Sequence, residues 1–204
     1  MRWLYAMRFV RGGILRVIDW LFRLRYRSVF GPGVRVYGWP LIRRVPDSTI
    51  TVGSRAVLIS NSEFAEWGLS HACHIRTVAP GARISVGEDV GMSGVTIVCR
   101  AAVSIGDRVM LGANVSITDT DSHAVDAVPR RYEKPGIGVS PVRIEDDVFI
   151  GVGSIVLKGV TIGAGSVIGA GSVVAASVPT GVVCAGNPAR IVRSLPASQE
   201  PLVG

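Results

Sequence analysis

"IEDDVFIGVGSIVLKGVTIGAGSVIGAGSVVAASVP", residues 144–179, repeats a pattern every six residues. Ile144, Ile150, Val156, Ile162, Ile168 and Val174 are six apart without exception. Four residues after each comes a small or β-branched residue: Val148, Ser154, Val160, Ser166, Ser172 and Val178. Gly151, Gly163 and Gly169 directly follow three of the aliphatics. A period of six fits neither an amphipathic helix nor a simple alternating strand. It fits a chain that turns a corner every six residues, so that three short strands close one triangular coil. The aliphatic then points into the prism, the small residue sits beside it, and glycine serves backbone conformations at the corner. Successive coils stack about 4.8 Å apart through ladder hydrogen bonds, and no coil is stable alone. The six hexads of 144–179 predict two coils.

The same pattern runs upstream in a shifted phase. Ile105, Leu111 and Ile117 are six apart, with Val109 and Val115 at the small position. Val86, Met92 and Val98 precede them, and Val52 with Leu58 is a fainter trace. The seven-residue step from Val98 to Ile105 predicts one inserted residue at a corner. The repeat thus runs from roughly residue 50 to 179, with one large interruption between Ile117 and Ile144.

Composition agrees with a β-rich repeat. Glycine is high at 25 of 204 residues and aromatics are few at 6%, a balance that suits a solenoid better than a helical bundle. The length allows one domain with an appendage. Cys73, Cys99 and Cys184 are an odd number without CxxC spacing, which predicts a reducing compartment and no disulfide framework or structural zinc site. Net charge is +7, but it is concentrated. Residues 1–30 hold seven arginines against Asp19 alone. The near-neutral remainder excludes a nucleic-acid-binding main body.

In that first segment Trp3, Met7, Val10, Ile14, Val17, Leu21 and Leu24 alternate three and four apart, which is helical spacing. Arginine recurs too often for a spanning helix. The segment is expected to lie on an anionic membrane surface, or to pack on the rest of the protein. The expected organisation is a basic amphipathic helical segment over 1–30, a β-helix domain over 31–185 and a tail over 186–204.

The interruption, residues 118–143, opens with "TDTDSHAVD". Long excursions from compact scaffolds usually carry function. His123 is its one histidine, and histidine's unperturbed pKa of about 6.5 suits a general base near neutral pH. Asp119, Asp121 and Asp126 are equal candidates to fix its tautomer.

"IGDRVMLGANVSITDTDSHAVD", "VRIEDDVFIGVGSIVLKGVTIGAGSVIGAGSVV" and "VVCAGNPARIVR" together resemble the hexapeptide-repeat acyltransferases, in family order, over about residues 86–193. The likeness is greatest to the maltose, galactoside and colanic-acid O-acetyltransferases. It implies an all-β, left-handed parallel β-helix that assembles as a homotrimer with active sites between subunits. Acetyl-CoA would be the co-substrate, a sugar hydroxyl of a cell-surface or exported polysaccharide or its lipid-linked precursor the acceptor, and no metal is expected. The family's catalytic histidine falls on His123, although Ala124 stands where the family usually has proline. Its acceptor-contacting residue falls on Ser93. Its small residues along the CoA groove fall on Val152 and Ala170, and its phosphate-contacting basic residues on Arg190 and Arg193. With the basic segment, this places the protein in the cytoplasm, at the inner face of the cytoplasmic membrane. Two other readings stand beside it: a zinc-dependent carbonic anhydrase-like β-helix, drawing on His71 and His74, and a non-catalytic membrane-associated scaffold.

Overall fold

The computed structural model describes residues 26–126, 130 and 136–196. The segment expected to form the basic helix lies outside the described residues as far as residue 25, as do the loop residues 127–129 and 131–135 and the chain beyond 196. The described chain is a triangular prism of short strands. A first face has eight strands, from Arg35–Tyr37 through Gly91–Ser93, Met110–Leu111 and Phe149–Ile150 to Ala189–Ser194. A second face has six, including Leu41–Arg43, His74–Thr77, Thr96–Cys99 and Ser116–Thr118, and a third has five. The chain visits the three faces in turn, and the strands of each face pair in parallel with those one coil away. Among the strand pairs of the described residues, only the last, Val182–Gly186 with Ala189–Ser194, is antiparallel. Among the described residues the one helical element is the 3-10 turn Ser62–Phe64, and no helix is long and apolar enough to cross a membrane.

The hexad aliphatics form the core. Ile144, Ile150, Val156, Ile162, Ile168 and Val174 are all buried, each stacked on its counterpart one coil away. Burying each such side chain contributes roughly 1.5–3 kcal/mol. Upstream, Val52, Leu58, Val86, Met92, Ile105, Leu111 and Ile117 also point inward. Val98 does not. Ile97 is the buried residue and pairs with Ile117, while Val98 faces outward against Thr118. Alternation along a four-residue strand puts both Ile97 and Cys99 inside, so the step from Met92 to Ile97 is one residue short of six and the step from Ile97 to Ile105 is two residues longer.

The corners divide the work of glycine in two. Directly after the aliphatic the need is for close approach: a Cβ on Gly151 would lie 2.6 Å from the Ala170 backbone nitrogen of the next coil. Three residues after the aliphatic comes the left-handed conformation, at Gly153 with φ of 68°. Upstream that position is taken by Arg55, Asp89, Arg108 and Asp147, all with positive φ. These pair along one edge of the prism, Arg55 with Asp89 and Arg108 with Asp147, each through two hydrogen bonds of 2.7–2.8 Å. All are exposed, so the pairs fix geometry more than they add stability.

Candidate functional site

Ladder register builds a groove at the corner between the first and second faces. Met92 pairs with Leu111, Leu111 with Ile150, Ile150 with Ile168, and Ile168 with Cys184. The residues one step further therefore form a column: Ser93, Gly112, Gly151, Gly169, Ala185 and, across the antiparallel pair, Arg190. Five ladder steps at about 4.8 Å give the column a length of roughly 24 Å. Three of its six positions are glycine, so its middle carries no side chain. Ser93, Val152 and Ala170 all line the resulting groove, whose volume is about 620 Å³. Apolar side chains wall it: Phe64, Trp67, Met110 and Phe149 are all substantially exposed. Ligand sites have this character, an apolar cleft with few polar groups. Arg190 continues the column beyond the groove, and Arg193 lies further along the same edge strand, paired with Val183. Both arginines are exposed.

Trp67 and Phe64 come from an excursion between strands Val57–Ile59 and His74–Thr77 that the hexads gave no template for. Asn114 fixes it from two coils on: its side chain donates to the Gly68 carbonyl at 3.0 Å and accepts from the Ser70 N–H at 2.8 Å.

His123 is elsewhere in the subunit. The excursion leaves after Ser116–Thr118, at the corner between the second and third faces, and returns at Val142–Ile144. Its legs are clamped where Thr120 bridges Val139 in antiparallel fashion. The Asp121 N–H donates to the Gly138 carbonyl at 3.0 Å and the Ser140 N–H to the Asp119 carbonyl at 2.9 Å. Beyond the clamp Ala124 turns inward and is buried, while His123 points out. The Arg130 guanidinium donates to the carbonyls of Ala124 and Val125, holding that turn. His123 is exposed, does not line the groove, and makes no hydrogen bond among the described residues.

None of the three aspartates orients it. The Asp119 carboxylate is buried and accepts from the N–H groups of Arg100, Ala101 and Ala102 at 2.7, 2.6 and 2.8 Å. It also meets the Cys99 thiol at 3.5 Å. Burial, and then Asp119, push that thiol up to about 12. Asp121 pairs with Lys158 at 2.7 Å. Asp126 is exposed and bonds to no described residue. The clamp residues Lys158 and Gly138 had no sequence signal beyond their place near the loop's return.

As to metal, no group of three His, Cys, Asp or Glu among the described residues could hold an ion. Both ring nitrogens of His71 are occupied, one at 2.9 Å from the Ala72 carbonyl and the other at 3.3 Å from the Thr96 hydroxyl.

Residues 83–119 and 141–176 match the family described as the hexapeptide repeat of succinyl-transferase. A Schizosaccharomyces pombe protein named as an acetyltransferase is 46% identical over 96 residues, 47% of this chain and 44% of that one. The chain spans less than half the length of the first curated relatives it matches, several of which are named tetrahydropyridine-dicarboxylate N-acetyltransferases. A hexapeptide-repeat acetyltransferase of Vibrio cholerae shares the fold at a TM-score of 0.55 and 27% identity, over 84% of this chain and 77% of that one. A galactoside acetyltransferase in complex with coenzyme A does so at 0.53 and 26%, over 82% and 66%.

Proposed function

The chain belongs to the hexapeptide-repeat acyltransferases of left-handed parallel β-helix fold, and from that premise we propose that it transfers acetyl from acetyl-CoA to a sugar hydroxyl, with His123 as general base. The observation that carries this reading is the column from Ser93 to Arg190. It offers an acceptor-sized end at Ser93, a floor of bare backbone at Gly112, Gly151 and Gly169, and a cation at the far end. An extended thioester with a phosphorylated tail fits such a track. Pantetheine amides can bond the exposed backbone along it, and Arg190 with Arg193 can meet the phosphates.

In the reaction the acceptor oxygen attacks the thioester carbonyl while the His123 imidazole takes its proton. A carbon–oxygen bond forms, the carbon–sulfur bond breaks, and the imidazolium returns the proton to the CoA thiolate. A positioned base contributes roughly 10²–10⁴-fold. A backbone N–H on the bare floor can stabilise the oxyanion. Because His123 and the groove occupy different corners of one subunit, the reading requires a second copy to bring its histidine to the groove. A homotrimer meets that need with three equivalent sites.

The relatives named for nitrogen acceptors make an acceptor nitrogen, in place of a hydroxyl, the second reading. Their names, and no contact in this chain, favour it. The test is His123→Ala: acetyl transfer to a sugar acceptor falls by at least about 10²-fold, while the oligomer and its melting temperature stay unchanged. Full activity in that variant would overturn the mechanism.

A further inference from the structure

The second face carries a group of cations that the site above does not use. Ladder register sets Arg43 directly against Arg76, and His74 shares the outward side of the same strand as Arg76. Arg100 follows the next strand, Thr96–Cys99, one coil on and diagonal to Arg76. Burial, followed by the charges of Arg76, His71 and Arg43, holds the His74 imidazole below its ordinary range. Like charges opposed across a ladder are destabilising. Yet no described carboxylate pairs with the side chain of Arg43, Arg76 or Arg100; at Arg100's own corner Asp121 is taken by Lys158 and Asp119 by backbone N–H groups.

A second observation falls on the same residues. Among the described residues, His74 Nε2, Arg76 Nε and Arg100 Nε are shut off from solvent and have no hydrogen-bond partner, and all three belong to this one face and its edge. Buried donors normally find acceptors, and a set that does not calls for an explanation. Several cationic donors on one surface match a ligand with several anionic oxygens, and guanidinium forks fit phosphate best.

The placement says which ligand. Thr118, at the root of the excursion bearing His123, stacks on Val98, which stacks on Arg76. Ser93 lies just across the corner from Thr96, at the start of the same face. The cations therefore occupy the surface between the corner of Ser93 and the corner from which His123 departs. We propose that Arg43, His74, Arg76 and Arg100 bind a phosphate or diphosphate group of the acceptor, which makes the acceptor a sugar phosphate or glycosyl diphosphate rather than a neutral sugar. The word acceptor rests on the acetyl-transfer reading; the anion site itself does not.

The experiment is calorimetric binding of inorganic pyrophosphate to the full chain, with saturating CoA present so that the groove's own phosphate contacts are filled. Pyrophosphate binds the wild type, and Arg76→Gln and Arg43→Gln each weaken it by about tenfold or more. Arg83→Gln, which removes the same charge from the third face, leaves binding unchanged. Displacement by uridine diphosphate identifies a nucleotide-linked acceptor. Arg76-dependent sedimentation with vesicles carrying a polyprenyl phosphate identifies a lipid-linked one, and neither result leaves a soluble sugar phosphate. No binding, or binding indifferent to both arginines, overturns the proposal. So does an Arg76→Gln chain that loses its oligomeric state, since the cluster would then be a contact between copies. Pyrophosphate binding needs no turnover, so it stays readable if the His123→Ala result defeats the acetyl-transfer reading.

Discussion

Asp119 lies four residues before His123, and its acidic neighbours made it a natural partner for that imidazole. The structure gives it a structural task instead. Its carboxylate gathers three backbone N–H groups at the corner Arg100–Ala102, and so fixes where the excursion departs. Asp119→Ala would leave those donors buried and unsatisfied, at about 1–3 kcal/mol each. The expected outcome is a loss of about 3 kcal/mol or more in urea unfolding, with Asp119→Asn less damaging because one acceptor oxygen remains. The neighbouring thiol gives a second residue-scale prediction. Cys99 has an ordinary value of 9.0 and is held at about 12 in the fold. A raised value means the folded chain keeps its proton when the unfolded chain has lost it. The stability this contributes is fully present below pH 9.0 and is lost as pH rises towards about 12. Unfolding measured across that window should show a smaller pH slope in Cys99→Ala than in the wild type. At this scale the sequence was only partly readable. His123 stands out by its position in a broken repeat, but an aspartate's choice between an imidazole and three amides depends on backbone direction, which no spacing encodes.

At the level of elements, the hexads over 144–179 gave every inward residue, because each strand is two residues long and each coil repeats without insertion. Between Met92 and Ile105 the same rule misplaced the inward residue at Val98, since the four-residue strand Thr96–Cys99 buries two positions rather than one. The excursion's base was invisible for a similar reason: Lys158 reaches Asp121 from the next coil, 37 residues on. Gly138 is bound into the same clamp, for a Cβ there would stand 2.3 Å from an Asp121 carboxylate oxygen. This ion pair is half-buried and holds the leg that carries His123. Lys158→Met should therefore lower kcat by about tenfold through misplacement of His123, the proposed base. The KM for acetyl-CoA should stay unchanged, because the groove lies at another corner. A rise in that KM with kcat intact would separate the clamp from the loop's function.

On the scale of the whole molecule, the prism is a stack in which each coil touches only its neighbours, so stability is close to a sum of coil and interface contributions. Its faces differ in character: one corner is apolar and bare, one face is cationic, and one edge is a ladder of alternating charge. Residues 1–30 are expected to form a basic amphipathic helix that lies on a membrane surface or packs on the protein; we propose the former, which would bring the chain to a membrane-bound acceptor. Removing residues 1–30 should abolish sedimentation with anionic vesicles while leaving the oligomer intact, and persistent sedimentation would assign that attachment elsewhere. The spacing of the coils has one more consequence. From Gly151 to Gly169 the chain advances one full turn, and the column advances one ladder step. The protein thus carries a graduated scale in its backbone, with Ser93 at one mark and Arg190 at another. Excising a single turn between them would bring the two ends closer by about 4.8 Å without altering either, so the reach between the proposed reacting end and the proposed phosphate-binding end is a quantity evolution can change only in whole increments.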